Sequence, residues 1–317
     1  MSSPALSHDV IDAADFTTQA EIIDRLGAKA PLVALTPARY RSFFQEYEPK
    51  VLAVSRNGKL VDVGALILRR QRFDKTLVVT ISSLLSEPDY FWSSMTVLAR
   101  DWRVNRVMIE MFGAPADDQR AFEGEKLRQR TQIYVCDLTR DDLAAELSSN
   151  HRRNIRKAEA QGFDVVEESS PKAIEDHVRL CGASNDRRSG RGEQIQGNKD
   201  RAATEAYLKT GQATLYQAVH EGTAYSSILV LRIGAAAYYD TGGTSPEGMK
   251  MGGSHFLMFK VMERLKAEGV TSFSLDVANT EGLIKFKTGF GAVEWPLQRV
   301  YLEYPNIISR LRRLLRL

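Results

Sequence analysis

Residues 51–70 read VLAVSRNGKLVDVGALILRR, and residues 214–241 read TLYQAVHEGTAYSSILVLRIGAAAYYDT. In each stretch an apolar run meets a two-residue turn and a longer apolar run returns. Asn57-Gly58 is a strong hairpin signal, because a type I′ turn needs positive φ at both central residues. Glu221-Gly222 holds the same place in the second stretch. After the first hairpin the pattern predicts a strand over Leu77–Ser82, a helix from about Pro88 through Arg103 and a strand over Val107–Phe112. After the second it predicts a strand over Ala235–Thr241, a helix from near Ser254 to before Gly269, and a strand over Val270–Ala278. The turn glycines Gly58 and Gly222 are 164 residues apart, and Glu110 and Asp276 on the closing strands are 166 apart. A nearly constant offset predicts one fold unit used twice. The fold class expected is α/β (α+β), with mixed, mostly antiparallel sheets flanked by helices, split into halves 1–139 and 140–317.

The bulk numbers agree with a folded chain. Of 317 residues, 43% are hydrophobic and 26% charged, and no stretch approaches the ~20 apolar residues that span a bilayer. The first residues, MSSPALSHDVIDAADF, carry acids where a secretory leader carries bases, so a cytoplasmic location is expected. Cys136 and Cys181 are the two cysteines; with no CxxC and no histidine cluster they predict neither a disulfide framework nor a metal site. Net charge is +3, and basic residues gather at His151–Lys157, at Arg187–Arg191 and in the last eight residues. Local basic clusters suit an anionic ligand such as a nucleotide, a CoA or an RNA.

Between the halves, DDLAAELSSNHRRNIRKAEAQG (141–162) predicts a linker helix with Leu143, Leu147, Ile155 and Ala158 on one face. His151 falls on that face and reads as a packed core histidine rather than a catalyst. Acids open the segment and bases close it, as the helix dipole prefers, and Gly162 ends it. Residues 185–200, NDRRSGRGEQIQGNKD, are polar and Gly-rich and read as a loop that is either disordered or a substrate-ordered lid. The tail NIISRLRRLLRL (306–317) reads as a basic amphipathic helix that touches an anionic membrane surface, contacts tRNA phosphate or docks on the protein.

Two stretches carry a family resemblance. HRRNIRKAEAQGF looks like an "RR-x-IRKA…G" helix, and Gly282-Leu283-Ile284-Lys285-Phe286-Lys287-Thr288-Gly289-Phe290-Gly291 resembles a "GL-x-x-FK-x-GFG" signature. Both resemble the FemABX family and its wider acyltransferase relatives over roughly residues 140–300, with tandem GNAT-like (acyl-CoA N-acyltransferase) domains as the implied fold. The implied activity is transfer of an activated acyl group to an amine. The donor is a charged tRNA, the amine then belonging to a cell-wall precursor, a small molecule or a peptide. Alternatively the donor is a CoA thioester, or the chain is a non-catalytic GNAT-like protein that binds RNA or a partner. No tightly bound cofactor is implied, and the oligomeric state stays open.

Acyl transfer to an amine builds negative charge on the carbonyl oxygen, which fixed cations or N–H donors stabilise. By resemblance Lys287 is that cation, with Lys285 its confusable neighbour, and Phe286 stacks on the terminal adenine or packs beneath it. Asp276 stands near the end of a strand on which Phe273, Leu275 and Val277 share the other face, so it is a candidate general base or amine-positioning carboxylate, or else a cap of the following turn. Arg152, Arg153, Arg156, Arg187, Arg188 and Arg191 are available for substrate phosphates. The loop Gly248–Ser254 lies where a CoA-using protein of this fold carries its pyrophosphate cradle. Met249 stands in place of the usual Gln or Arg, so Gly252-Gly253-Ser254 forms a degenerate cradle or simply a turn and N-cap.

Overall fold

A computed structural model describes residues 5–12, 47–70, 74–82, 85–114, 118–192, 201–209, 211 and 213–304. The chain divides into two compact units, Met1–Gln132 with Trp295–Leu317, and Ile133–Glu294. The sequence reading assigned residues 140–317 to one half. Trp295 onward instead belongs with the first unit, because the last strand pairs Leu297–Glu303 against Phe112–Arg106.

The first unit holds β1 (Leu6–Asp12), β2 (Tyr47–Arg56), β3 (Lys59–Arg70), β4 (Lys75–Ser82), helix α1 (Pro88–Asp101), β5 (Arg106–Phe112) and most of the final strand β12 (Val293–Glu303). Its strands lie in the order β1-β2-β3-β4-β5-β12, all antiparallel except β4 beside β5. Asn57 and Gly58 both have positive φ, 52° and 76°, as the turn chemistry requires. Asp62, 1% exposed, accepts from the backbone N–H groups of Ser86 and Glu87 and so fixes the entry to α1. Phe91, Met95 and Leu98 on α1 then pack into a core with Leu66, Leu77 and Ile109.

Strand β6 (Glu125–Asp137) runs across the division of the chain. The second unit continues with α2 (Ser149–Ala160), β7 (Asp164–Glu167), α3 (Pro171–Ser189), α4 (Arg201–Leu208), β8 (Ala213–His220), β9 (Thr223–Ile233), β10 (Ala236–Thr244), α5 (Pro246–Met251), α6 (Gly253–Ala267), β11 (Ser272–Val277) and α7 (Glu281–Thr288). Its strand order, β7-β8-β9-β10-β11-β6, repeats that of the first unit, again with one parallel pair, β10 beside β11. Glu221 and Gly222 repeat the positive φ pair at 47° and 73°. Helix α6 is apolar on most of its surface; Phe256, Leu257, Phe259, Val261, Met262 and Leu265 are all buried. Each such side chain contributes about 1.5–3 kcal/mol of burial, so α6 is the central post of this core.

Three sequence expectations change here. The linker helix starts only at Ser149, with Ser148 as its N-cap; Leu143 and Leu147 are buried from turns, and no acid lies in the first helical turn. The stretch expected to be a loop from Asn185 is helical as far as Ser189, while residues 193–200 and the basic tail 306–317 lie outside the described residues. Strand β11 does not alternate cleanly: its pairing with β6 shifts between Ser274 and Val277, and Asp276 takes a φ of 64°. Among the described residues no helix is long and apolar enough to cross a membrane.

Candidate active site

The two parallel strand pairs differ. In the first unit β4 and β5 are paired over seven consecutive positions, from Thr76–Arg106 to Ser82–Phe112. In the second unit β10 and β11 pair at Ala236–Ser272, Ala237–Phe273 and Tyr238–Ser274, and there the pairing stops. Strand β10 continues to Thr244 and β11 to Val277. The strands therefore part after Tyr238 and Ser274 and leave a wedge between their C-terminal ends. The left-handed residue Asp276 lies on its β11 side. An ordinary residue adopts such a φ only when its surroundings enforce it.

Lys287 bonds the backbone at this left-handed position. The side chain reaches back from α7 and its Nζ donates to the carbonyls of Asp276 (3.0 Å) and Val277 (2.5 Å). It is 7% exposed and sits 5.8 Å from the centre of the Tyr134 ring. Burial pushes its pKa down to about 8; the Asp276 charge raises it and Arg188 lowers it. Two carbonyl acceptors and an aromatic face still favour the ammonium at neutral pH. Two of its three N–H bonds are committed, leaving a third. Lys285, by contrast, is exposed and paired with Glu281 at 2.6 Å.

The signature around Lys287 has a physical reason at each position. Thr280 caps α7 by accepting from Leu283 N–H. Gly289 permits contact with His151: a Cβ there would sit on the imidazole ring. Phe290 is buried and Gly291 turns the chain at φ 78°. His151 donates from Nε2 to the carbonyl of Phe286 (2.8 Å) and accepts at Nδ1 from Ser148 Oγ (2.9 Å), tying α2 to α7. Phe286 is half-buried among the rings of His151, His255 and Phe290.

Tyr239 is the first β10 residue past the last β10–β11 pair. Burial is the main cause of the upward shift of its phenol, and the charges of Cys181, Asp240 and Asp276 raise it further while Arg188 lowers it. The charge of Arg188 thus acts on both Tyr239 and Lys287. Helix α3 closes over β10 here: a Cβ on Gly243 would overlap the backbone of Leu180. His177, 1% exposed, bonds Ser227 Oγ (2.9 Å) and Thr241 Oγ1 (3.2 Å). The Cys181 sulfur lies 3.6 Å from Nε2 and 4.0 Å from Nδ1 of that ring. Tyr239, Asp240, His177 and Cys181 were missed in the sequence; the run YYDT at 238–241 on a core strand was the available signal.

The other expected residues scatter. Arg152 contacts the Ala144 carbonyl, Arg153 bonds Asn150 and is exposed, and Arg156 is exposed on the same helix. Arg191 is exposed just past the end of α3. Gly252 takes a φ of 84° where α5 meets α6, and a Cβ there would strike the Asn154 carbonyl oxygen. Its N–H already donates to the carbonyls of Gly248 and Met249. Only Gly253 and Ser254 stand in the first turn of α6, where helical N–H groups have no intrahelical acceptor. Among the described residues no three His, Cys, Asp or Glu side chains are grouped to hold a metal.

Residues 145–287 match the sequence profile of the acetyltransferase (GNAT) domain. Over that stretch the chain is similar to a GNAT domain. That stretch contains the wedge and ends on Lys287. Its fold is similar to a crystal structure of FemX, at 12% identity and a TM-score of 0.68 over 98% of this chain and 100% of that one. It is similar to the C-terminal domain of a putative lysylphosphatidylglycerol synthetase from Agrobacterium fabrum, at 12% identity and 0.58 over 95% of each chain. It is also similar to a tandem GNAT protein from the clavulanic acid biosynthesis pathway, at 14% identity and 0.53 over 95% and 100%. No curated protein sequence matches the chain significantly. The likeness to FemX and to the tandem GNAT protein is one of fold and extends over 98% and 95% of this chain.

Proposed function

We propose that the second unit transfers an aminoacyl group from a charged tRNA to an amine acceptor, with the reacting carbonyl held in the β10–β11 wedge. The observation that carries this reading is the buried Lys287 ammonium, anchored through two N–H bonds to the wedge backbone with a third left to donate. As the amine adds to the ester carbonyl, that N–H and the fixed charge stabilise the forming oxyanion. The group is preorganised and desolvated, so it works against less water than an exposed lysine would. Asp276 receives the proton that the attacking ammonium must lose, or positions the amine. When the C–O bond breaks, the ribose oxygen leaves and takes up a proton from Asp276 or from water. Arg152, Arg153, Arg156, Arg188 and Arg191 are then phosphate contacts for the nucleic acid, and Phe286 backs the site. Together with the expected cytoplasmic location, these assignments belong to the proposal.

A CoA thioester is the second reading, favoured by the acetyltransferase description of the matched domain. Against it, the Gly252 amide is already bonded to the carbonyls of Gly248 and Met249, so the cradle retains only the α6 first turn. Incubating the full chain with radiolabelled aminoacyl-tRNA or radiolabelled acetyl-CoA and a panel of amines decides between them. Label should move from RNA to amine and vanish with RNase; movement from acetyl-CoA alone refutes the tRNA reading.

A further inference from the structure

Helix α7 is eight residues long, and so short a helix keeps its orientation through tertiary ties. Its last turn is tied from outside. Phe290 N–H bonds to the carbonyl of Lys287, so the donor that a continuing helix would give to the Phe286 carbonyl is spent elsewhere. His151 Nε2 supplies that donor at 2.8 Å, and Ser148 N–H bonds the Gly289 carbonyl at 2.9 Å. A carbonyl only accepts, so Nε2 carries the imidazole proton. Nδ1 then accepts from Ser148 Oγ, which itself accepts from His151 N–H. Both ring nitrogens are committed and the residue is 3% exposed, so the ring is not placed to shuttle protons. What it holds is another matter. The Phe286 carbonyl and the Lys287 N–H form one planar peptide unit, and the Lys287 Cα lies in that plane.

We infer that His151 is a positioning residue for the reaction: by holding the peptide plane between Phe286 and Lys287 it aims the Lys287 side chain at the carbonyls of Asp276 and Val277. The inference rests on the proposed transfer for the reaction it serves, but the seat of Lys287 can be read without substrate. The imidazole also packs on His255 and Phe290, at 4.5 and 4.4 Å between ring centres. Position 151 therefore supplies both a ring and a donor, and substitution separates them.

His151→Phe keeps a ring and loses the donor, whereas His151→Gln loses the ring and returns an amide N–H at the reach of Nε2. Lysine-selective isotope labelling and NMR follow the Lys287 ammonium of the full chain through pH, with Lys287→Met assigning its signal. The parent should titrate near 8. In His151→Phe the value should rise by at least about one unit toward that of an ordinary lysine, as the ammonium leaves its buried seat for water. In His151→Gln it should stay within about 0.3 unit of the parent. Asp276 and Arg188, whose charges also act on Lys287, are untouched in both. In transfer assays kcat should fall about 10–100-fold in His151→Phe with KM within about twofold, and most of it should return in His151→Gln. A histidine that merely fills space predicts the reverse order, with His151→Phe like the parent and His151→Gln impaired. Should His151→Phe fail to fold, Ser148→Ala carries the test: it removes the hydroxyl that fixes the imidazole tautomer, and the Lys287 value should rise in the same direction. An unmoved Lys287 titration in the variant tested, or His151→Gln behaving as His151→Phe, overturns the inference. A titration that responds as expected in a chain that transfers from no donor refutes the transfer reading alone.

Discussion

Lys287 and Lys285 stand two positions apart on one short helix and meet opposite surroundings. Lys285 makes an exposed ion pair with Glu281, of the kind worth about 0–1 kcal/mol. Lys287 is enclosed and bonded to the two carbonyls that end β11. Lys287→Met should therefore lower turnover by about 10²–10³ with little change in KM, the pattern of a group that acts on the transition state; steady-state kinetics checks it. Lys285→Met should leave both parameters nearly unchanged. The Lys287 pKa of about 8 adds a sign. If the ammonium is the working form, turnover falls as pH rises through about 8; if the neutral amine were a base, turnover would rise there. A pH–rate profile from 6 to 10 separates the two. The lysine was legible because the motif around it is dense, but its partners were not. They are backbone carbonyls brought within reach by a left-handed Asp276, and alternation along the strand gave no warning of that.

Helix α3 seats Ala173, Ile174, His177 and Leu180 toward the sheet, and β10 meets it with Gly243. Gly243→Ala would force α3 off the strand and should destabilise the chain by about 3 kcal/mol, read as a shift in urea midpoint. Three other elements, α2, α6 and α7, meet through His151, His255, Phe286 and Phe290. Burial, reinforced by the neighbouring His151, pushes His255 down to about 4, and burial also lowers His151. The unfolded chain takes up protons near pH 6.5 that the folded chain refuses, so stability is complete above about 6.5 and falls toward pH 4. For His255 the loss is roughly 3 kcal/mol. Urea unfolding at pH 8 and pH 5 should show this decline, and His255→Phe should flatten it. The hairpins, α1 and α6 were readable because turn chemistry and apolar spacing are local. The seating of α3 on β10 depends on residues about sixty positions apart, and the long polar stretch after Asn185 hid the end of that helix.

The two units share strand order, the position of their parallel pair and the positive-φ turns at Asn57-Gly58 and Glu221-Gly222. They differ in whether the parallel pair is closed. Seven consecutive pairs leave no opening between β4 and β5, whereas three pairs leave β10 and β11 parted from Tyr239 onward. The sequence offset announced the duplication but not this asymmetry, since a strand that parts from its neighbour and one that does not can have the same apolar pattern. Only one unit should then bind the acyl donor. Amide hydrogen exchange of the full chain, with and without a non-hydrolysable aminoacyl-tRNA analogue, tests this most directly. The account expects new protection confined to Tyr239–Thr244 on β10 and to Asp276, Val277 and the start of α7, with β4 and β5 unchanged. Protection that instead appears along Thr76–Ser82 and Arg106–Phe112 would contradict it.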